Sequence, residues 1–436
     1  NQEPSDPPIE ISDALVLEQG VRPKNLLWIT VDTMRWDYYN ALGYDNAVTT
    51  PNIDRILNGG VVLTNNRSCA SWTAPSFACS LSGQSQAALE VWPCSLRDGG
   101  IIGMERIQEA AVFPGMATYM KAAGFQTGMV TDNRLLTSDF GMSVGYDFEQ
   151  YGGDLTGVTL DFMAGQEAVD QPWFFHAHYL DPHLPYRDHD SFELEGCPPE
   201  YLAGLETSVG FFESVVSSYQ NNYSEIVQEA CLAHIIARYE SEIRYVDAEI
   251  GRLLDAVGDD TLVVYFTDHG EGFHEHHNPY STGWLHGSGL YDEMVATAAA
   301  FYQPGNLKPA KVENASSLLD IVPTTLALMG IETDQEFSGR VVDLETRTPQ
   351  FHNMFLLTKS HQAVSTSRDK LIFTWRCDLG PDQSLLQYFD LEADPGEQND
   401  LYDPENPRVA YLWGLLRPKV VEMDEAHPDY SPCKPY

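Results

Sequence analysis

The chain has 436 residues, of which 43% are hydrophobic and 20% charged, so it can bury a sizeable core and is not intrinsically disordered. Its 64 Asp and Glu against 25 Lys and Arg give a formal net charge of −39. DNA and RNA are therefore poor partners, because phosphate binding needs clustered basic side chains. The sequence contains no apolar run of the length that predicts a transmembrane segment.

Residues 1–24 open with the polar, Pro-rich stretch NQEPSDPPIE and are predicted to form an N-terminal tail. Such a stretch is typical of the region after a removed export signal, so we expect a periplasmic or extracellular protein. The seven cysteines include no Cys-x-x-Cys pair, which argues against a cysteine zinc site. An exported chain would permit some disulfides, although the odd number leaves at least one cysteine unpaired.

Residues 25–350 are predicted to form an α/β domain in which buried strands alternate with helical stretches such as PNIDRILNGG and GMATYMKAAG. Four strands, read as NLLWITVD, FQTGMVTDN, PWFFHAHYLD and TLVVYFTDHG, each end in Asp or Asn. The alternation indicates a mostly parallel central sheet with helices on both faces, and ligands bind such sheets at the carboxyl ends of the strands. The polar residues at these ends are Asp32, Asp132, Asn133, Asp181, Asp268 and His269.

Residues 351–436 differ in character and are predicted to form a small C-terminal subdomain. HQAVSTSRDKLIFTWR and LLQYFDLEAD have the composition of antiparallel strands, DPGEQND is typical of a turn, and NPRVAYLWGLLRPKVVEM predicts a closing helix.

The stretch SWTAPSFACSLSG predicts a short helix with Pro75 in its first turn and Thr73 at the N-cap. Capping alone would explain the hydroxyl of Thr73. The same position also places that hydroxyl beside the free N–H groups and the positive end of a helix, where a tetrahedral anion binds well. A metal ion bound to the hydroxyl would make it a nucleophile.

Candidate metal ligands follow two of the strands: Asp32 after the first, and Asp268 with His269 after the fourth. Carboxylates suit Mg, Ca or Mn and the imidazole favours Mn or Zn, so we expect a divalent ion, with Zn, Mn and Ca as the candidates. The ion would supply the positive charge that a small anionic ester substrate requires in so acidic a protein. Five histidines lie between residues 269 and 286, which strengthens the case for a site here.

The sequence resembles the sulfatase branch of the alkaline phosphatase superfamily. The resemblance rests on WITVDTMRWDYYNALGYDNAVTTPNIDRIL, TAPS, HYLDPHLPY, FTDHGEGFHEH with HGSGLYDE, and YFDLEADPGEQNDL, which follow one another in the family's order. It implies an alkaline-phosphatase-like α/β fold and ester hydrolysis. The implied metal ligands are Asp32, Thr73, Asp268 and His269.

The resemblance also implies catalytic roles at four positions. Thr73 falls at the position of the nucleophile. His183 would contact or protonate the ester oxygens, His286 would protonate the leaving group, and Asn133 would hold a non-bridging oxygen.

Three departures separate this chain from ordinary sulfatases. The Cys or Ser that those enzymes convert to formylglycine is Thr73, and neither Cys69 nor Cys79 precedes an x-Pro-Ser sequence. The Arg that usually follows Pro-Ser is Phe77, and the second Asp of the usual pair is Thr33. Because family phosphodiesterases and phosphotransferases use a Thr alkoxide, these departures favour phosphoryl or phosphonyl transfer.

We therefore predict a metal-dependent hydrolase of phosphate or phosphonate esters that acts through a covalent phospho-enzyme. Three alternatives stay open: a sulfatase without formylglycine, a phospho-alcohol head-group transferase, and a non-catalytic binding protein. One metal ion is favoured and two are possible. The residues with the right chemistry for a second ion are Asp181, His183, His274, His276, His277 and His286. The sequence does not indicate an oligomeric state.

Overall fold

The computed structural model describes residues 9–47, 49–89, 95–97, 100–102, 114–187, 189, 197, 225–276, 281, 283–346, 349–356, 359–376 and 384–426. Its strands, in chain order, are β1 (Ile9–Ser12), β2 (Leu15–Leu17), β3 (Asn25–Val31), β4 (Val61–Arg67), β5 (Ser95–Arg97), β6 (Gly100–Ile102), β7 (Gln126–Thr131), β8 (Phe148–Tyr151), β9 (Trp173–Tyr179), β10 (Thr261–Thr267), β11 (Gly272–Phe273), β12 (Trp284–Leu285), β13 (Ala296–Tyr302), β14 (Ala310–Val312), β15 (Ser316–Ser317), β16 (Gln350–Leu356), β17 (Lys359–Ser365), β18 (Asp369–Arg376) and β19 (Ser384–Asp390).

Its helices are α1 (Ile53–Gly59), α2 (Thr73–Ser82), α3 (Gln86–Leu89), α4 (Met116–Ala122), α5 (Leu155–Glu167), α6 (Glu225–Ala256), α7 (Asp292–Val295), α8 (Ile321–Met329) and α9 (Pro407–Ala426). In the part of the chain that the structure describes, no helix is both long and apolar enough to cross a membrane.

A nine-stranded sheet forms the centre of the molecule, in the order β14-β4-β13-β10-β3-β9-β7-β8, with β15 also paired to β4. Strand β13 runs antiparallel to both of its neighbours, and the other pairs are parallel. The four strands predicted from the sequence are β3, β7, β9 and β10. Every residue of β3, β9 and β10 is buried, as expected for parallel strands covered on both faces.

Helices cover the sheet on both sides, as the sequence predicted. Successive residues of β3 face opposite sides: Leu27 and Ile29 pack with α1, α5 and α6, whereas Leu26 and Trp28 pack with α2, α4 and α8. Helix α6 buries one stripe at helical spacing, which consists of Ile235, Tyr239, Ile243, Val246, Ile250 and Leu253.

The C-terminal region forms the predicted antiparallel sheet, in the order β16-β17-β18-β19. Strand β16, which the sequence analysis did not identify, is its first strand. Leu412, Leu416 and Val420 of α9 pack on one face of this sheet. On the other face, Ile372 and residues near it contact the segment around α7, so the subdomain joins the central domain through buried apolar contacts.

The predicted N-terminal tail is described from residue 9 onward. Strands β1 and β2 pair with each other, and Leu15 and Leu17 are fully buried in the core on one face of the central sheet. This part of the predicted tail therefore packs on the central domain rather than extending from it. The domain boundary at residues 350 and 351 stays a prediction.

Candidate active site

The site lies at the carboxyl edge of the central sheet, where the neighbouring strands β10, β3, β9 and β7 end. Asp32 follows β3 directly, and Asp268 with His269 follows β10. All three side chains are fully buried, and their ligand atoms lie within 4.8 Å of one another. The parallel register of β3 and β10 brings these residues together although more than 200 positions separate them in the chain.

Thr73 enters the same site from the N-terminus of α2. Its Oγ1 lies 3.3 Å from His269 Nε2 and 3.5 Å from Asp32 Oδ2. The prediction that Thr73 caps this helix is wrong, because the helix begins at Thr73 and Trp72 occupies the N-cap with an extended backbone and no capping side chain. As the first helical residue, Thr73 turns its hydroxyl towards Asp32 and His269.

The atoms that face one another here are hydrogen-bond acceptors. His269 Nδ1 lies 3.0 Å from the Gly270 carbonyl and donates to it, which leaves a lone pair on Nε2. That Nε2 lies 3.6 Å from Asp32 Oδ1 and 3.3 Å from Asp268 Oδ2. Neither carboxylate oxygen accepts a hydrogen bond from the described residues. Buried acceptors without donors are costly, so this set fits a divalent cation of mixed oxygen and nitrogen preference.

The pKa values of these groups reflect the same crowding of buried acceptors. Burial, and then the charge of Asp32, raise the pKa of Asp268 well above its ordinary value. Burial and the neighbouring His286 lower the pKa of His269 to about 3, so its imidazole is neutral. A cation among these groups would favour ionised carboxylates and a neutral imidazole, which is the form in which all three bind metals.

Backbone and amide donors hold the two carboxylates from behind. The N–H groups of Thr33 (3.2 Å) and His269 (2.8 Å) donate to Asp268 Oδ1. Thr33 adopts φ of +53°, an unfavourable backbone conformation for a β-branched residue, and its carbonyl accepts the Tyr239 hydroxyl at 2.7 Å. Thr33 therefore contributes a backbone donor at the position where ordinary sulfatases carry the second Asp of their pair.

Asn133, after β7, also supports Asp32. Its Nδ2 donates to Asp32 Oδ2 at 2.7 Å, and its Oδ1 accepts from Leu135 N at 3.0 Å. The structure thus places Asn133 beside the predicted metal ligands, and its contact with a substrate oxygen stays a prediction.

His183 and His286 lie next to the ligand group. The ring of His286 is centred 4.6 Å from that of His269 and 5.0 Å from that of His183. His286 Nδ1 lies 3.1 Å from Glu271 Oε1. Burial lowers the pKa of His286, but the charge and hydrogen bond of Glu271, together with the charge of Asp32, outweigh burial and raise that pKa above its ordinary value.

Glu271 is a site residue that sequence reasoning missed. It is fully buried, orients His286 through Oε1, and accepts the Tyr186 hydroxyl through Oε2 at 3.3 Å. Its position two residues after His269, in DHGEG, was the available signal. A glutamate in a polar loop is usually exposed, so its burial followed only from the packing of the loop.

His178 was also missed. Its Nδ1 contacts Thr30 Oγ1 at 2.8 Å, and its Nε2 lies 3.5 Å from Asp32 Oδ2. Burial alone would raise the pKa of Asp32, but His178, His183 and His269 together hold that pKa below its ordinary value. The sequence signal for His178 was the HAH pattern, because two histidines within a strand that is otherwise apolar are unusual.

Three other candidates for a second metal ion, within the part of the chain that the structure describes, have partners outside this site. His276 binds Glu293 Oε1 at 2.7 Å, and His274 packs against Trp284. Asp181 forms a separate group with His189 and Glu242. His277 lies outside the described residues.

Comparisons with known proteins agree with this architecture. Residues 24–331 match the family model described as Sulfatase. An arylsulfatase of Clostridium perfringens is 24% identical over 301 residues, which are 62% of this chain and 58% of that protein. The chain therefore covers less than two thirds of this relative's length.

Two solved structures share the fold. One, a protein in complex with its substrate D-glucosamine-2-N,6-O-disulfate, gives a TM-score of 0.68 at 17% identity, over 94% of this chain and 99% of that chain. The phosphonate monoester hydrolase of Agrobacterium radiobacter gives a TM-score of 0.61 at 18% identity, over 93% and 96% of the two chains.

Proposed function

The chain belongs to the sulfatase family, and from this premise we propose that it is a metal-dependent hydrolase of phosphate or phosphonate esters with Thr73 as nucleophile. The observation that carries the proposal is the place of the Thr73 hydroxyl, which is buried at a helix start within 3.5 Å of both Asp32 and His269. A threonine cannot become formylglycine, so the proposal assigns the attack to the Thr73 hydroxyl itself.

Asp32, Thr73, Asp268 and His269 would hold one divalent ion, for which Zn, Mn and Ca are the candidates. Such an ion, when bound, lowers the pKa of a coordinated hydroxyl and offsets negative charge on a substrate. Asn133 and the backbone of Thr33 keep the carboxylates in place from behind.

In the proposed first step, the Thr73 hydroxyl gives up its proton to solvent and Oγ1 forms a bond to phosphorus. The bond from phosphorus to the leaving oxygen breaks in line, and His286 donates a proton to that oxygen. The N-terminus of α2 stabilises the negative charge of the group in transfer. Water then gives a proton to His286 and attacks phosphorus, the bond to Oγ1 breaks, and Oγ1 takes up a proton from solvent, which restores Thr73.

Glu271 holds the His286 ring in this scheme, since it accepts from Nδ1 and leaves Nε2 as the proton-carrying atom towards the substrate. The ring of His183 is centred 5.0 Å from that of His286, and His183 would contact the ester oxygens. The assignment of His286 rests on its ring distance of 4.6 Å from the predicted ligand His269, and that of His183 on its distance of 5.0 Å from His286.

Sulfate ester hydrolysis is the second candidate function, because the matched relatives include an arylsulfatase. Attack by Thr73 on sulfur would leave a sulfated threonine, which lacks the elimination route that formylglycine provides. For this reason we place sulfate ester hydrolysis second.

The Cys197–Cys231 disulfide supports the proposal that the protein works in an oxidising, exported setting.

The nucleophile is tested by Thr73→Ala and Thr73→Ser, assayed on aryl phosphodiesters, phosphonate monoesters and sulfate esters with Zn, Mn or Ca added. Thr73→Ala should lose at least about 10³-fold in kcat because no oxygen remains to form the covalent intermediate. It should retain most of its bound metal, because Asp32, Asp268 and His269 remain. Thr73→Ser should keep measurable activity.

Asp268→Asn is the matched variant for metal binding. It should lower both the metal content, measured by mass spectrometry of the purified protein, and the rate. Full activity in Thr73→Ala would exclude the nucleophile assignment, and an active wild type without bound metal would exclude the cofactor.

A further inference from the structure

Two buried cysteines lie on either side of Thr73 in the chain. Cys69 belongs to the segment that leads into α2, and Cys79 lies within that helix. Both side chains are buried, and both are thiols in this structure. The proposed reaction uses neither of them.

A contact between two serine hydroxyls brings the segment of Cys69 against the helix of Cys79. Ser68 Oγ donates to Ser76 Oγ at 2.9 Å. Cys69 follows Ser68 directly, and Cys79 lies three residues after Ser76, which places it on the same face of the helix, one turn further along. The serine contact therefore brings the two thiols within reach of each other.

The two thiols also contact each other. Burial, and then a hydrogen bond with the Cys69 thiol, raise the pKa of Cys79 well above its ordinary value. Thiols that share a hydrogen bond lie close to the spacing that a disulfide requires. Rotation of the two side chains would therefore join them without a large shift of the backbone.

The backbone on both sides of this thiol pair is already fixed by other elements. Ser68 N donates to the Val295 carbonyl at 2.8 Å, and the Ser68 carbonyl accepts from His352 Nδ1 at 2.7 Å. On the helix, Ser76 Oγ donates to the Asp268 carbonyl at 2.7 Å. A bond between the cysteines would thus join two segments that the fold already holds side by side.

We propose that Cys69 and Cys79 form a disulfide in the mature protein, which joins the segment before α2 to the body of that helix. Thr73 lies inside the loop that this bond closes, so the bond holds the start of α2 against fraying. The chain also contains the Cys197–Cys231 disulfide, and a setting that permits one disulfide permits a second.

The bond forms by thiol–disulfide exchange with an oxidant that itself carries a disulfide, such as oxidised glutathione or a disulfide oxidoreductase. The Cys69 thiolate attacks one sulfur of the oxidant and releases the other. Cys79 then attacks the Cys69 sulfur and releases the second oxidant sulfur. The two cysteines lose two electrons and two protons, and the oxidant disulfide takes them up and becomes two thiols.

Oxidation takes place before α2 is fully packed. The thiolate is the form that reacts, and the raised pKa of Cys79 keeps its thiol protonated once the protein is folded. The finished bond is then buried and shielded from reductants. Dithiothreitol should therefore reduce it in urea and leave it intact in native buffer.

The test is disulfide mapping of the full chain after export into an oxidising compartment. The protein is denatured in N-ethylmaleimide, which blocks free thiols, and is then cut with chymotrypsin, which cleaves after aromatic residues. Cleavage after Trp72 and Phe77 places Cys69 and Cys79 on separate peptides. Mass spectrometry should find these two peptides joined before reduction and separate after it.

The variant Cys197→Ala/Cys231→Ala is the control for this mapping, because it removes the other disulfide and should keep the Cys69–Cys79 linkage. Maleimide on both Cys69 and Cys79 in most molecules, or a linkage of either one to a different cysteine, would overturn the proposal. Because the mapping uses the wild type and needs no turnover, its result does not depend on the proposed function.

Thermal unfolding of Cys69→Ala, Cys79→Ala and the double variant tests whether the bond stabilises the fold. Each single variant should unfold about 3 °C or more below the wild type, because each removes the bond. The double variant should lose about 3 °C less than the sum of the two single losses, since the bond can be lost only once. Strictly additive losses would contradict a stabilising bond.

Discussion

At the scale of single residues, Thr73 shows how position changes the meaning of a hydroxyl. The same side chain would be an ordinary cap if the helix began one residue later. Because the helix begins at Thr73, its Oγ1 faces Asp32 and His269 and the helix N-terminus faces the same space. Chemistry at Thr73 therefore depends on a helix boundary that sequence patterns locate only to within a few residues.

Glu271 carries a residue-scale prediction about the leaving group. Glu271→Gln should weaken the positioning of His286 as a proton donor. We expect kcat/KM to fall about 10²-fold for phenyl esters and less than about fivefold for 4-nitrophenyl diesters, whose leaving group needs little protonation. His286→Asn should show the same dependence when rates are measured across a series of phenols.

Tyr186→Phe is the control for this prediction. It removes the 3.3 Å contact with the other oxygen of Glu271 and leaves the bond to His286 intact, so its effect should be small for every phenol. A loss in Glu271→Gln that is equal across the series would contradict a role in leaving-group protonation.

At the scale of elements, the turn from β10 to β11 positions three site residues through one close backbone approach. A Cβ on Gly270 would lie 2.0 Å from the Glu293 carbonyl oxygen, and Gly270 N donates to the Met294 carbonyl at 2.9 Å. Only glycine allows the turn to pack this closely on α7. The geometry of His269 and Glu271 thus depends on a residue between them that has no side chain.

Gly270→Ala should therefore displace the turn. We expect metal titration to show weaker metal binding and kinetics to show a kcat/KM at least about 10²-fold lower. Urea unfolding should show a loss of about 1–3 kcal/mol in unfolding free energy. Gly165→Ala is the matched control, because its Cβ would meet nothing within 4 Å on helix α5. That control should be active and up to about 1 kcal/mol more stable. Normal activity in Gly270→Ala would show that the turn tolerates displacement.

At the scale of the whole molecule, a buried ion network joins the C-terminal sheet to the central domain. Lys370 of β18 is fully buried and contacts Asp292 at 2.7 Å and Glu397 at 3.0 Å, and Asp292 also pairs with Arg67 of β4 at 2.6 Å. In a chain of net charge −39, this site matches its buried carboxylates with two of the few cations available.

Lys370→Met should leave two buried carboxylates sharing one arginine. We expect a loss of about 3–5 kcal/mol in unfolding free energy, measured in urea, because an uncompensated buried charge is costly. Arg368→Ala, which breaks an exposed pair with Glu392, should cost less than about 1 kcal/mol. Similar losses in the two variants would show that burial does not strengthen the network.

The burial of His352 leads to a prediction about how the free energy of unfolding depends on pH. It lies buried between the domains, with Nδ1 2.7 Å from the Ser68 carbonyl and Nε2 2.7 Å from Ser365 Oγ. Burial, and then the charge of Lys370, lower the pKa of His352 to about 3. The unfolded chain binds a proton near pH 6.5, so stability from this residue is complete above that pH and is lost as pH falls towards 3.

The slope from His352 should approach about 1.4 kcal/mol per pH unit between pH 6 and pH 4. Urea unfolding at several pH values in this range measures it. In His352→Gln the total slope should fall by this amount, although the variant is less stable at pH 7. An unchanged slope would mean that His352 is already charged in the folded protein.

The amino-acid sequence alone was enough to predict the sheet, the strand ends and the types of side chain at the edge of the sheet. Buried runs such as NLLWITVD mark parallel strands, and the carboxyl ends of such strands must meet at one edge, so Asp32, Asp268 and His269 could be grouped without coordinates. The motifs added Thr73, His183 and His286 to that group through their order along the chain.

The side chains that support this group, and the charges around it, became evident only in the folded chain. Glu271 and His178 act through burial and distances that are set by packing between elements, and local sequence patterns do not encode these. The pairing of Arg35 with Asp37 and Glu275 likewise depends on where the loop after β10 folds. Charge balance in a buried site is a sum over neighbours that are distant in the chain, so it follows only once the chain is folded.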